Sequence, residues 1–312
     1  MLDPKMALLS LLLLLPLSLL LLLFIITRPR STRVPIKNRH ALITGGSSGI
    51  GLALLTVSRR GCTCDYLARD QSKAGRSEAT IRLSTWVDVT TLSVTSGDFD
   101  ALKKVLDYMG PSIDVLVCNQ GVFVPKELES RALDEIRFMI DVNLMGCFNL
   151  IKAALPLIKC DRDSRGPGSI AIMSSWPGRV GIYGYTAYSA SKFGVRGLAE
   201  ALQQEVIADD IHVSLIFPPD TETPGLEQEN KLRPVTKIIA SPRHDESQDV
   251  AKKAINGIKS GRFIIPCNFE GFLLSIIAIW FVPTTSYLMA FTEVIFLWYS
   301  THCGLFFQWD LV

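Results

Sequence analysis

The chain has 312 residues, 48% of them hydrophobic, and a formal net charge of only +2 from 32 basic and 30 acidic side chains. That near balance excludes the concentrated basic face of a nucleic-acid binder, so no nucleic-acid partner is expected. One α/β domain joined to membrane segments fits the length and the uneven placement of the apolar residues.

From Met6 to Ile26 the chain runs 21 residues without a charge, most of them leucine. As a helix this run is about 31 Å long, matching a bilayer's hydrocarbon core. A cleaved signal peptide has a shorter apolar stretch that ends at small residues, whereas this one leads straight into Arg28, Arg30, Arg33, Lys37 and Arg39. Residues 1–35 are therefore predicted to be a transmembrane anchor with a basic linker. The excess of positive charge after the anchor places the downstream domain in the cytosol.

Residues 36–265 alternate short apolar runs with helical patterns. Strands are predicted at His40–Thr44, Thr63–Ala68, Thr85–Val87, Ile113–Cys118, Ser169–Met173, His212–Phe217 and Phe263–Ile265. Helices are predicted at Gly49–Ser58, Leu133–Leu155, Tyr188–Ile207 and Asp249–Ser260. Uniformly apolar strands separated by helices imply right-handed crossovers and a doubly wound parallel sheet of the Rossmann type. Its ligands belong at the carboxyl ends of the strands. Residues 266–312 form a hydrophobic tail with apolar stretches at Gly271–Val282 and Tyr287–Phe307, parted by Pro283. The first is too short to span a bilayer, so an interfacial hairpin, a second crossing and a buried helix pair all stay open. The seven cysteines are an odd number without metal-like spacing, and reduced core thiols with no metal site are expected.

Four groups of residues carry chemistry. Thr44-Gly45-Gly46-Ser47-Ser48-Gly49-Ile50-Gly51 follows the first strand and opens the first helix. A dinucleotide pyrophosphate needs unobstructed backbone N–H groups at such a helix start, which makes Gly45, Ser47, Ser48, Gly49 and Gly51 cofactor contacts. At the end of the second strand stands Arg69, where NAD-specific sites carry a carboxylate for the ribose 2′-hydroxyl. Asp65 lies deeper in the strand. Arg69 and Ser47 thus favour NADPH, and Lys73, a helical turn onward, adds charge. Asp88, expected at the end of the third strand, is positioned to accept from the adenine amino group. After the fourth strand, Asn119-Gln120-Gly121 lies where adenine and its ribose would sit; Asn119 either contacts the cofactor or only ties adjacent strands, and both readings stay open.

The fourth group is Ser175, Tyr188 thirteen residues later, and Lys192. Tyr188 and Lys192 are i,i+4 on a predicted helix and project from one face. Moving a tyrosine from its free pKa near 10 toward 7 takes about 4 kcal/mol. One ammonium about 4 Å away at an effective dielectric near 20 supplies roughly that much. Tyr188 can then exchange a proton with a substrate oxygen while Ser175 donates a hydrogen bond to the same atom. Whether the adjacent Ser174 shares that task stays open.

These motifs, with Asn143 in Asp141-Val142-Asn143-Leu144, resemble the short-chain dehydrogenase/reductase superfamily over about residues 38–265. The resemblance implies that Asn143 completes a catalytic tetrad by holding a water that relays protons to Lys192. It also implies that Lys192 binds the nicotinamide ribose. Gly184–Phe193, Gly197–Glu205 and Pro218–Gly225, with the anchor and the tail, are more narrowly similar to the plant-type 3-ketodihydrosphingosine reductases. That likeness implies reduction of a sphingoid-base ketone by NADPH, with the domain on the cytosolic face of the endoplasmic reticulum membrane. A homo-oligomer is left open. Some positions depart from the superfamily pattern: the stretch between Arg69 and Asp88 is short, Gln120 stands where alanine is usual, and Trp176-Pro177 follows Ser175. Two other functions remain in view, a membrane dehydrogenase for another lipid carbonyl and a non-catalytic NADP-binding protein.

Overall fold

The computed structural model describes residues 33–58, 63–68, 89–93, 99–108, 110–231 and 245–277, with the isolated Ser18. The chain divides into two units, Thr32–Phe272 and the combined segments Met1–Ser31 and Leu273–Val312. The second unit, which holds the predicted anchor and most of the tail, lies almost wholly outside the described residues.

In chain order the first unit contains β1 (His40–Thr44), α1 (Gly49–Val57), β2 (Thr63–Ala68), β3 (Val89–Ser93), α2 (Phe99–Tyr108) and β4 (Val115–Cys118). Next come α3 (Leu133–Ile140), a π-helical turn (Asp141–Met145), α4 (Gly146–Lys159), the short α5 (Arg162–Arg165) and β5 (Gly168–Met173). The series ends with α6 (Thr186–Val206), β6 (Ile211–Phe217), α7 (Pro224–Lys231), α8 (Ser247–Lys259), β7 (Ile264–Pro266) and α9 (Phe269–Ile277), of which only Phe269–Phe272 belong to this unit. The strands form one parallel sheet in the order β3-β2-β1-β4-β5-β6-β7. The order reverses between β1 and β4, and a crevice for a ligand opens at that point beyond the strands' carboxyl ends.

Successive residues of a strand face opposite sides, so the sheet builds two cores. Ala41, Ile43, Val115, Val117, Ala171 and Ile216 face α1 and α8, packing on Ala53, Leu54, Val250 and Ala254. Leu42, Leu116, Ile170, Ile172, Val213 and Leu215 face the other way, onto Leu102, Leu150, Ala154, Val195 and Leu202. The α3–α4 stretch, Leu133–Lys159, is long and apolar enough to cross a membrane. Leu150, Ala154 and Ile158 are nevertheless fully buried within the second cluster, as in a soluble core helix.

The structure adds a strand and a helical turn to the predicted elements. A strand lies at Val89–Ser93, in register with Cys64–Ala68 of β2, while the predicted Thr85–Val87 lies outside the described residues. The run Val89-Thr-Thr-Leu-Ser93 is itself β-branched and suits the edge position. Asp88, expected at the adenine, lies outside the described residues. The helix predicted over Leu133–Leu155 is interrupted by the π turn at Asp141–Met145.

Away from the crevice, Asp114 at the amino end of β4 gathers Arg39, Arg162 and Arg165 at 3.0, 2.8 and 2.5 Å. Burial pushes this carboxyl up, but the arginines and the His40 N–H outweigh it and hold it below the usual carboxylate range. His40 Nε2 lies 2.7 Å from Asp65 Oδ2, and that bond, against burial, holds the imidazole above its usual range. A folded value above the unfolded value of about 6.5 means that the pair's stabilisation is complete below that pH and lost as pH rises through the folded value. Asp65→Asn should remove this component. Between about pH 6 and pH 9 the wild-type melting midpoint is expected to fall relative to the variant's; parallel profiles in a thermal melt would contradict the assignment.

Candidate active site

The crevice at the reversal point is built first by the turn between β1 and α1. Gly51 packs so closely that an added Cβ would lie 2.1 Å from the Gly45 carbonyl oxygen and 2.7 Å from Asn119 Nδ2. Gly49 has φ +52, and a Cβ there would meet Thr223 Cγ2 at 2.7 Å, so the segment after β6 folds over the turn. The first turn of α1 carries no acidic side chain. Bare backbone donors at a helix start form a cradle for a negatively charged group. Gly51→Ala forces backbone apart, and overpacking of this kind costs about 1–3 kcal/mol. A drop of roughly 2–10 °C in the melting midpoint is expected; an unchanged midpoint would contradict the packing described.

Asn119 is committed to the chain. Its backbone N–H donates to Thr44 Oγ1 at 2.8 Å, and its side-chain amide donates to the carbonyls of Thr44 and Gly45 at 3.2 and 3.4 Å. These bonds tie the end of β4 to the glycine turn, which Asn119 shapes from beneath. Gln120, beside it, bridges further. Thr44 Oγ1 donates to its Oε1 at 2.5 Å, and its amide donates to Cys147 Sγ at 3.4 Å.

The second half of the site comes from β5 and α6. Ser174 and Ser175 lie just beyond the carboxyl end of β5, with Ser175 extended at φ −165. Neighbouring side chains on an extended chain point to opposite sides. The Ser174 hydroxyl is buried against the Lys192 carbonyl at 3.5 Å, which turns Ser175 the other way. Tyr188 and Lys192 sit on the first turns of α6. The Tyr188 ring packs edge-on against Phe123 at 4.7 Å between centroids and against Tyr185 at 6.3 Å. Lys192 Nζ stands 5.7 Å from the Tyr188 ring centroid and donates to the Met173 carbonyl at 2.8 Å. The ammonium is buried, and burial holds it below the usual lysine range.

The π turn delivers Asn143. This fully buried amide accepts from the Val122 N–H at 2.8 Å and donates to the Val122 carbonyl at 2.9 Å and to Ser191 Oγ at 3.0 Å. A point one bond off Gly121 Cα lies 3.7 Å from Asn143 Oδ1 and 3.8 Å from Lys192 Nζ, so both groups border the same space. π turns of this kind recur at functional sites. Arg69 and Lys73 lie outside the described residues. Sequence reasoning missed Phe123, which walls Tyr188, and Arg179, whose guanidinium stacks 3.6 Å above the Phe217 ring. Burial, seconded by Arg196, lowers the Arg179 guanidinium to about 9, against the opposing pull of Glu200.

A tyrosine beside a buried ammonium, near a glycine cradle, is suited to proton exchange at an oxygen. Residues 39–233 match the short chain dehydrogenase family. The chain belongs to this family. It is 53% identical over 296 residues to 3-dehydrosphinganine reductase TSC10B of Arabidopsis thaliana, covering 94% of this chain and 89% of that protein. It is 32% identical over 267 residues to the 3-ketodihydrosphingosine reductase of Mus musculus, covering 82% and 79%. Among solved structures, a short chain dehydrogenase from Mycobacterium paratuberculosis bound to NAD superposes with a TM-score of 0.62 at 24% identity, covering 74% of this chain and 96% of that one. The short-chain dehydrogenase fold, with its parallel sheet, is thus established for the first unit.

Proposed function

We propose that the chain is an NADPH-dependent reductase that converts 3-ketosphinganine to sphinganine in sphingolipid synthesis. The observation that carries this reading is its 53% identity to a 3-dehydrosphinganine reductase over nearly the full length of both chains. The site is consistent with it. The close approach at Gly51, which leaves no room for a Cβ, fits a dinucleotide pyrophosphate. In β2, Asp65 is occupied by His40 at 2.7 Å and is not offered to a ribose hydroxyl. That leaves Arg69 and Lys73 to meet a 2′-phosphate.

When bound, the reduced nicotinamide supplies a hydride to the ketone carbon. The chain's own residues do the rest. Ser175 Oγ donates a hydrogen bond to the ketone oxygen and fixes its position. Tyr188 gives that oxygen its proton, producing the secondary alcohol. Lys192, a buried cation near the ring, stabilises the phenolate left behind. Asn143, clamped by Val122 and Ser191, holds the water through which the proton on Tyr188 is restored. Glu222, exposed after β6, can meet the substrate's ammonium. In this reading the Met6–Ile26 anchor and the basic residues after it hold the domain at the cytosolic face of the endoplasmic reticulum. Protease added to sealed microsomes should digest residues 28–262, and protection of that segment would reverse the orientation.

Arg69→Ala should raise KM for NADPH about 10–100-fold, the worth of one charge-assisted hydrogen bond, with kcat little changed. Steady-state kinetics with both cofactors checks this, and equal KM values for NADPH and NADH in the wild type would reject the specificity. The substrate is tested by expression in cells lacking the endogenous reductase. Restored sphinganine synthesis is expected, and its absence from well-expressed, membrane-inserted protein would reject 3-ketosphinganine.

A further inference from the structure

In a parallel sheet every segment that follows a strand starts at the same edge. Leu128 and Leu133 follow β4, Val180 and Tyr183 follow β5, and Phe269 and Phe272 follow β7. All six are exposed, from 37% for Val180 to 70% for Phe269. They are thus large apolar side chains left in water at the edge that holds Tyr188. Direct contacts join the three segments. Tyr183 Oη donates to Glu127 Oε1 at 2.5 Å, and the Lys126 N–H donates to the Gly184 carbonyl at 2.9 Å. A methyl on Gly271 would lie 3.2 Å from Trp176 Nε1, which brings the start of α9 against the segment after β5. The Cys267 N–H donates to the Phe217 carbonyl at 3.3 Å, tying the same stretch to the end of β6.

Large apolar side chains left exposed together at one edge mark a contact with a partner or a membrane. Two features favour lipid. The chain of α9 continues into Ala278-Ile-Trp-Phe-Val282, five apolar residues in sequence. The charged residues beside the apolar ones, Lys126 with Glu127, Glu129 and Glu270, carry a small net negative charge, which suits a zwitterionic headgroup layer more than an anionic one. Tyr183, with a polar tip on an apolar ring, is the side chain that settles at such interfaces.

We propose that this rim seats on a zwitterionic lipid bilayer, with Leu128, Leu133, Val180, Tyr183, Phe269 and Phe272 entering the interface and the Tyr188 cleft opening toward lipid. The proposal rests on the long-chain substrate for its purpose: a ketone held in the membrane reaches Tyr188 without its chain crossing water. Its test does not depend on turnover. The full chain is placed in phosphatidylcholine nanodiscs with a fluorescent amino acid replacing Leu133, or replacing Ile207, which is also exposed but precedes β6 at the opposite edge. Interfacial insertion reaches roughly 5–10 Å into the headgroup and acyl boundary, so brominated acyl chains should remove about half the emission at 133 and none at 207. No quenching at 133, or equal quenching at both positions, overturns the proposal, including in favour of a second copy or a protein partner on the rim. As a second arm, Leu128→Asp with Leu133→Asp should raise KM for bilayer-borne ketone about tenfold at constant kcat; an unchanged KM also counts against the rim. Quenching at 133 without any turnover of 3-ketosphinganine sinks the substrate and leaves the surface standing.

Discussion

Tyr188→Phe is expected to lower ketone reduction at least about a hundredfold while leaving NADPH binding nearly unchanged, because a general acid typically contributes 10²–10⁴-fold. The substitution removes one oxygen and keeps the ring that packs on Phe123 and Tyr185, so fold and cleft shape persist. Single-turnover rates with cofactor fluorescence separate the two quantities. More than about a tenth of the wild-type rate in the variant contradicts a proton-donor role.

Lys192→Met is expected to be as damaging to the rate, with the opposite signature in stability. The loss of the 2.8 Å bond to the Met173 carbonyl costs about 1.5–3 kcal/mol, whereas removing an ammonium from a buried site relieves a desolvation cost of several kcal/mol. The second effect is larger. Because burial lowers the folded pKa of Lys192, its charge disfavours the folded state at neutral pH, and this cost fades as pH rises through the folded value. The variant should therefore melt no lower than the wild type near pH 7, and its advantage should shrink toward high pH. A melting midpoint several degrees lower near pH 7 would show that Lys192 is chiefly a structural tie.

Much of this was legible in the sequence because the features are periodic or punctuated. Uniformly apolar runs such as Ile170–Met173 and Val213–Phe217 are what a sheet covered on both faces demands, and they lie within a residue or two of their predicted places. The glycines after β1 announce a close approach that no other residue tolerates. The i,i+4 spacing of Tyr188 and Lys192 requires only that α6 be a helix. What escaped lacks a local signal. The π turn at Asp141–Met145 sits inside an unbroken apolar pattern, so the seat of Asn143 is set by packing and not by any breaker residue. The strand at Val89–Ser93 went unpredicted because its Val-Thr-Thr run carries little apolar signal, and only pairing with β2 reveals it. Ser174 and Ser175 are identical in sequence terms, and the side of the chain each faces is decided by the Lys192 carbonyl. Arg179 buries a guanidinium on Phe217, an arrangement that long-range packing alone reveals.

The family and the fold rest on the match over residues 39–233 and on the sheet order. The substrate rests on likeness to 3-dehydrosphinganine reductases, joined to a site in which Lys192 Nζ stands 5.7 Å from the Tyr188 ring centroid. Purified full-length chain in detergent or nanodiscs, given NADPH and 3-ketosphinganine, should consume the cofactor and form sphinganine in equal amounts, with short water-soluble ketones reduced far less efficiently for want of the chain's apolar binding energy. Cofactor binding without sphinganine formation, or turnover confined to another lipid carbonyl such as a steroid, would contradict it.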